Sequence, residues 1–480
     1  MPIRYALDRD NNGLINVEDL LDVLADWDNT GNNILLPLLA QWGTHNWTLF
    51  NPSSDSRVIR VGQDVATIDE GLDQMRSGFP DWLLLERGVE YNEPLSLKGI
   101  NGRSANEPAL IGSWGTDERR PVITRSAYHQ YQTGLHNITL VGLEFDNHDP
   151  GDGTGVYFLG SDGSRGSNLH LEDIYIHHYK DGLVLKGYDG VTMHRCLVTD
   201  NYERATGTTK GQGMYGNNMT GFKMSECIFD KNGWNGDRDS SDSGASIFSH
   251  NVYLSNGAVN AELTNNIIMN AASHGVQMRG GGTARNNYFY GNPIALLLGG
   301  GDSGEVDPDG VLGYALRNVV LKSNDINSNA RRGFGIDLKN LREGAIRENI
   351  VAHKDSTGWG FAIGKSVSGG PDLHGVQNVD IEDNICYYGG NIYIRPPGPD
   401  HAPAVNVNFR RNYNTDVYDL HAGNQVFVEE LETMPDFPNV DEDGQVPGFE
   451  DQIRSMGKNA LTWVTADHLN SKVRAGFGME

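Results

Sequence analysis

Cysteine is nearly missing: Cys196, Cys227 and Cys386 are the only three in 480 residues. So sparse and odd a set excludes a disulfide-stapled framework, and all three are expected as buried free thiols. Long hydrophobic runs are missing too, none approaching the roughly 18 apolar residues of a membrane-spanning helix. Basic residues are few. The 38 Lys and Arg against 63 Asp and Glu leave a net charge of -25, which argues against nucleic acid as a partner, because phosphate binding rests on Lys and Arg. An anionic ligand would need a local basic patch. The opening MPIRYALDRD lacks a cationic stretch followed by an apolar one, so a secreted location is expected only with a leader already removed. Oligomeric state is left open.

What the chain does have is glycine, 60 residues of it, and repetition. Ten segments alternate apolar residues around a pivot: LVGLEFDN, LEDIYIHH, MHRCLVTDN, MSECIFDKN, LTNNIIMN, ARNNYFYGN, LKSNDINSN, IRENIVAHK, IEDNICYYG and FRRNYNTD. Their pivots are Leu143, Ile174, Cys196, Cys227, Asn266, Asn287, Asn324, Asn349, Asn384 and Asn412. The gaps run from 21 residues (266 to 287) to 39 (227 to 266), as in a coil of about 22 residues with loops inserted into some turns. Short strands at that spacing, with no helical period between them, predict an all-β solenoid of at least ten coils. Asparagines stacked at the pivots would hydrogen-bond along the axis, and a cysteine would fill the same space apolarly.

The stretch VATIDEGLDQMRSGFPDWLLLERGVEYNEPLSLKGINGRSANEPALIGSWG resembles the entry of the pectate-lyase-like right-handed parallel β-helices. In those, a capping helix leads into strands that end in a turn of the GVEY type. The resemblance spans about residues 56 to 440 and is specific for fold rather than activity. The terminal NALTWVTADHLNSKVRAGFG is similar to the tails of β-helix proteins of marine bacteria such as planctomycetes. The expected organisation is a small Ca²⁺-binding segment over 1–45, a parallel β-helix over 46–430 and a capping tail over 431–480.

The first segment is defined by DRDNNGLINVED, residues 8 to 19. Asp8, Asp10, Asn12, Asn16 and Asp19 fall at ligand positions 1, 3, 5, 9 and 12 of a Ca²⁺ loop. Gly13 stands at the sharp turn and the Leu14 carbonyl at position 7. With the amphipathic LLDVLADW behind it, the unit resembles half a dockerin. Its second half, DWDNTGNNILLP, has Pro37 where the last ligand should stand, which argues against cohesin docking.

The strands after the pivots align as DGLVLK, QGMYGN, HNVYLS, HGVQMR, GIDLK and NIYIR. Alternation turns Leu183, Met214, Val252, Val276, Ile336 and Ile392 inward, so their neighbours face out. One outward column then reads Val184, Tyr215, Tyr253, Gln277, Ala295, Asp337, Tyr393; the next reads Lys186, Asn217, Ser255, Arg279, Leu297, Lys339, Arg395. His250 and His274 lie at equivalent places ahead of these columns, about 5 Å apart if their coils are adjacent. The face is polar between 210 and 280 and apolar at NPIALLLGGG, so a cleft is expected over the polar coils.

In the resembled superfamily such a face often carries polysaccharide. Arg279 suits the carboxylate of a uronic acid, His250 or His274 the abstraction of its C5 proton, and Tyr253 or Tyr215 protonation of the leaving oxygen. Lys210 is a reserve base. Gln277, Lys186, Asn217 and Asp337 complete the binding surface. The expected function is thus a lyase acting on an acidic polysaccharide, with Ca²⁺ as cofactor. Two alternatives remain open: a glycoside hydrolase using Asp237, Asp239, Asp242 or Asp337, and a non-catalytic glycan-binding, adhesion or virion tail protein.

Overall fold

The structure, a computed structural model, describes residues 52–414 apart from short stretches, the longest being 237–243, 353–358, 369–374 and 395–403. It further describes the strand backbone as far as 433, and residues 465–479. The N-terminal Ca²⁺ loop proposed over 8 to 19 lies outside these residues.

The repeat resolves into coils that each pass through three faces. A flank strand such as Tyr175–His177 leads into a front strand, Tyr179–Asp189, and then a back strand, Thr192–His194. Among the described residues the flank is a sheet of 13 strands. Front and back form one 27-stranded sheet, because long strands such as Tyr179–Asp189 and Gln212–Thr220 bend across the edge between them. Neighbouring strands within each face pair in parallel, and the whole is a right-handed parallel β-helix.

The pivots are where the back face turns into the flank. The residue before each is left-handed, with φ between 51 and 58° at Asp173, Arg195, Glu226, Asn265, Asn286, Arg317, Glu348, Asp383 and Arg411. Behind this corner the buried asparagines 266, 287, 318, 349, 384 and 412 form a continuous ladder. Asn287, for example, donates from both its backbone N–H and its Nδ2 to Asn318 Oδ1 at 3.0 Å, and from Nδ2 back to the Leu263 carbonyl at 2.9 Å. Cys227 begins the ladder through its own N–H to Asn266 Oδ1, 3.0 Å, and Cys196 packs behind it. All three cysteines are free and buried. One pivot is corrected: Asn318 occupies the place assigned to Asn324, since Arg317 carries the corner φ and Asn318 the ladder bonds. The alternation of VVLKS fits either corner, and the asparagine after it is one corner further on.

A second ladder runs inside the corner between flank and front. Asn201 Nδ2 donates to Asn232 Oδ1 and Asn232 Nδ2 to Asn251 Oδ1, both at 2.8 Å, and Asn251 Nδ2 reaches Asn292 Oδ1 at 3.5 Å. The ladder position in that coil is Ala271, whose N–H still bonds Asn292 Oδ1 at 3.0 Å. Asn251 supplies the missing amide from the neighbouring strand. Its own column otherwise holds Gly182, Gly213, Gly275, Ala295 and Gly335, and at the four glycines an added Cβ would lie 2.5–2.6 Å from the next coil's carbonyl oxygen. Glycine is required there by close backbone approach.

Leu183, Met214, Val252, Val276 and Ile336 are all fully buried, as the alternation predicts. The helix Ile68–Gln74 packs against the first coils, with Thr67 capping its Glu70 N–H at 3.1 Å. The helix Ala466–Gly476 lies along the outside of the flank. There Leu469, Val473 and Phe477 cover Tyr288, Val319, Ile350 and Ile385, and Arg474 Nη1 donates to the Glu348 carbonyl at 2.7 Å.

Candidate active site

The parallel register places three polar columns side by side on the front face. The first pairs Asp181, Gln212, His250 and His274 in succession. The second pairs Tyr128, Tyr157, Val184, Tyr215, Tyr253, Gln277, Leu297, Asp337 and Ala362. The third begins with Leu159, Lys186 and Asn217 and has Gly299 paired with Lys339 further on. Two placements are therefore corrected. Leu297, not Ala295, follows Gln277 in the second column, and Gly299, not Leu297, holds its place in the third. The strand Ile294–Gly299 is buried along its whole length, and this uniform apolarity erased the alternation that would have set its phase.

The predicted residues do converge. His274 Nδ1 lies 3.1 Å from His250 Nδ1 and 2.9 Å from Ser273 Oγ, with the two imidazoles edge to face. The Tyr253 ring stands 5.2 Å from both the His250 and the Tyr215 rings. The Arg279 guanidinium lies 5.1 Å over Tyr253 and the Lys186 ammonium 5.3 Å over Tyr215. Asn217 Nδ2 donates to the Tyr215 hydroxyl at 2.8 Å. Gln277, 7% exposed, has an Oε1 with no hydrogen-bond partner among the described residues, as has the Ser255 hydroxyl at 3%.

Two predicted members are differently placed. Asp337 is buried and ion-paired to Lys339 Nζ at 2.8 Å, which ties it to the sheet. Lys210 is exposed at the rim, where its carbonyl accepts from Gln212 Nε2 at 3.0 Å. Asp237, Asp239 and Asp242 lie outside the described residues.

Burial sets the protonation of the pair. It drives His250 down to about 3, with the Arg279 cation adding to the effect and a hydrogen bond to the Ser249 carbonyl opposing it. His274 is pushed well below the usual histidine range by burial, by His250 and by Lys339, Arg332 and Arg279. Both imidazoles are therefore neutral at pH 7.

Three further groups escaped the sequence reading. Asp181 stands in the first column between Thr154 and Gln212, its carboxyl raised to about 6 by burial despite accepting the Gln212 N–H at 3.0 Å. It opens DGLVLK where His opens HNVYLS and HGVQMR, so the signal was available in the alignment. Tyr128 and Tyr157 extend the tyrosine column upstream, bordering with Arg125 and Thr154 an open groove of about 650 Å³. Phe248, 56% exposed, projects beside Gln212, whose Nε2 donates to the Phe248 carbonyl at 2.8 Å.

Comparisons agree with the fold. Residues 132–292 match the family described as a right handed beta helix region. No curated protein matches the sequence. Among solved structures, the chain is similar to an alginate lyase from Paenibacillus sp. str. FPU-7 at 14% identity and a TM-score of 0.38, with 78% of this chain and 99% of that one covered. It is also similar to the catalytic unit of a GH87 α-1,3-glucanase from Streptomyces thermodiastaticus strain HF3-3, at 15% identity and TM-score 0.41, covering 79% and 69%. A third is PfbA, a surface adhesin of Streptococcus pneumoniae, at 10% and 0.38, covering 76% and 87%. Likeness at this level is likeness of fold.

Proposed function

We propose that the front face binds an anionic, uronate-containing polysaccharide and cleaves it within the chain by β-elimination. One observation carries the reading: on two successive coils, a neutral histidine pair, a tyrosine and an arginine stand in adjacent columns, with Gln277 next to the tyrosine in its column. In this mechanism Arg279 neutralises the C6 carboxylate, which acidifies the C5 proton. His250 or His274 takes that proton; its electron pair becomes the C4–C5 double bond as the bond from C4 to the glycosidic oxygen breaks. Tyr253 or Tyr215 protonates the departing oxygen, and no water is consumed.

Arg279 has a second effect. Burial is the main cause of the depression of both imidazoles, and the Arg279 cation adds to it, so a bound carboxylate that cancels this charge would relieve only the smaller, electrostatic part. Tyr128, Tyr157 and Arg125 would hold sugars further along the same chain. The decisive experiment offers acidic polysaccharides and follows the ultraviolet absorbance of the unsaturated uronate. Chain scission without that chromophore would reject elimination. Hydrolysis is the second reading, favoured by Asp181, whose raised carboxyl has the protonation of a general acid. Ca²⁺ held by Asp8, Asp10, Asn12, Leu14, Asn16 and Asp19 is part of the proposal. Chelation should then loosen the first 45 or so residues and leave the melting of the solenoid unchanged.

A further inference from the structure

The corner where the flank meets the front face carries a second group of histidines, remote in sequence from the first. Glu144–Asp146 and Tyr175–His177 are neighbouring flank strands, with Asp146 in register with His177 and Glu144 with Tyr175. Phe145 and Ile176 point into the core, so the acids and His177 point out. His178 follows as the left-handed corner residue, φ 64°, which swings its ring back beside that of its neighbour. His178 Nδ1 then lies 2.8 Å from Asp146 Oδ1 and 3.1 Å from His177 Nδ1, and His177 Nδ1 lies 3.5 Å from the same Asp146 oxygen.

We propose that His177 Nδ1, His178 Nδ1 and Asp146 form a binding site for a divalent transition metal, zinc above all. Three donors around one ion with bonds of about 2.0–2.1 Å stand roughly 3.3 Å apart in tetrahedral geometry. The three separations bracket that value. The other nitrogen of His177 decides the tautomer: its Nε2–H donates to Glu144 Oε1 at 3.0 Å, leaving the Nδ1 lone pair turned toward the other two donors. A carboxylate behind a ligating imidazole is the usual outer support of a metal site, orienting the ring and strengthening the donor. His177 is 6% exposed and stacked at 4.1 Å on Tyr175, so its ring is held in place. Burial would raise the Asp146 carboxyl, but the His178 hydrogen bond and the imidazole charges outweigh it, and the group is held below the usual carboxylate range. The donor set of two imidazoles and one carboxylate suits zinc or cobalt over calcium, whose sites are built of oxygen. Partly exposed His178 leaves that side of the site open to water as a fourth ligand.

The test is titration of the full, tag-free chain with Zn²⁺ by calorimetry and with Co²⁺ by visible absorbance, in excess Ca²⁺ to fill any all-oxygen loop. The expected result is one Zn²⁺ per chain and a Co²⁺ spectrum of four-coordinate nitrogen and oxygen ligation. Affinity should fall at least tenfold in His178→Ala and in Asp146→Asn, and by about 10- to 100-fold in Glu144→Gln through loss of the ring's support. Circular dichroism of each variant checks that the solenoid is intact. His178→Ala, at a partly exposed corner, keeps the test independent of folding. Absence of saturable binding, or binding unchanged in His178→Ala and Asp146→Asn, would overturn the proposal.

Discussion

The protein contains the same contact twice in opposite settings. His250 and His274 meet Nδ1 to Nδ1 at 3.1 Å across two coils of the front face, and His177 and His178 meet at the same distance between chain neighbours on the flank. The first pair is surrounded by Arg279, Arg332 and Lys339; the second by Glu144 and Asp146. Burial, with the nearby cations adding to it, keeps the first pair neutral, whereas the second faces carboxylates that suit the metal site proposed above. The scaffold provides the juxtaposition, and burial together with the surrounding charges sets what each pair can do.

The largest effect that would break this comparison is on turnover. Replacing His274 or His250 by Ala should lower kcat on the cleaved polysaccharide by about 10²- to 10⁴-fold in one case and mainly weaken binding in the other. Arg279→Ala should lower kcat/KM by at least about 10²-fold. His178→Ala should leave kcat within about twofold, and equal losses from both pairs would abolish the distinction.

Acid unfolding sharpens it next. The native pKa of His250, about 3, lies below its unfolded value near 6.5, so the unfolded chain binds the extra proton. Stability from keeping the ring neutral is intact above pH 6.5 and is lost as pH falls toward 3, by an amount on the order of several kcal/mol. His250→Gln, measured by denaturant titration at pH 7 and pH 4.5, should narrow the gap between the two conditions. An unchanged gap would mean that the pair is not buried in the neutral state.

Asp181 has the opposite sign. Its carboxyl is raised to about 6, so the native state binds the proton more tightly and loses stability as pH rises from about 4 to 6. Asp181→Asn preserves an oxygen for the Gln212 N–H and should gain on the order of 1 kcal/mol at pH 8, discounted for partial exposure, and nothing at pH 3.5. A gain that is equal at both pH values would rule out desolvation of the charge as its cause.

Much of this was legible beforehand because period and inward asparagine are local signals. The pivots at Cys196, Cys227, Asn266, Asn287, Asn349, Asn384 and Asn412 needed only the alternation around them, and so did the columns through Tyr215, Tyr253 and Gln277. Phase was lost where alternation fails, at the uniformly buried Ile294–Gly299, and where the pivot at Asn318 is followed by an asparagine-rich segment that imitates another. Register could bring His250 to His274, because they are equivalent in consecutive frames. It could not bring His177 and His178 to Asp146 and Glu144, for that site depends on the left-handed corner at His178, where strand alternation no longer says which way a side chain turns. Nor could it give protonation, which follows from burial and from charges on the same and neighbouring coils.

The patched ladder ties together two positions that lie 20 residues apart. Asn251 stands in a glycine column because Ala271 has no amide to give. Asn251→Gly alone should destabilise the chain by about 1–3 kcal/mol by stranding buried amides, and Ala271→Asn alone should crowd a filled site. The double variant should recover most of the loss. Histories of substitution at 251 and 271 should therefore run as linked pairs, each residue fixing which changes its partner can accept. Since His250 precedes Asn251 and Ser273 and His274 follow Ala271 within three residues, drift at these two unreactive positions is also what the proposed site can least tolerate.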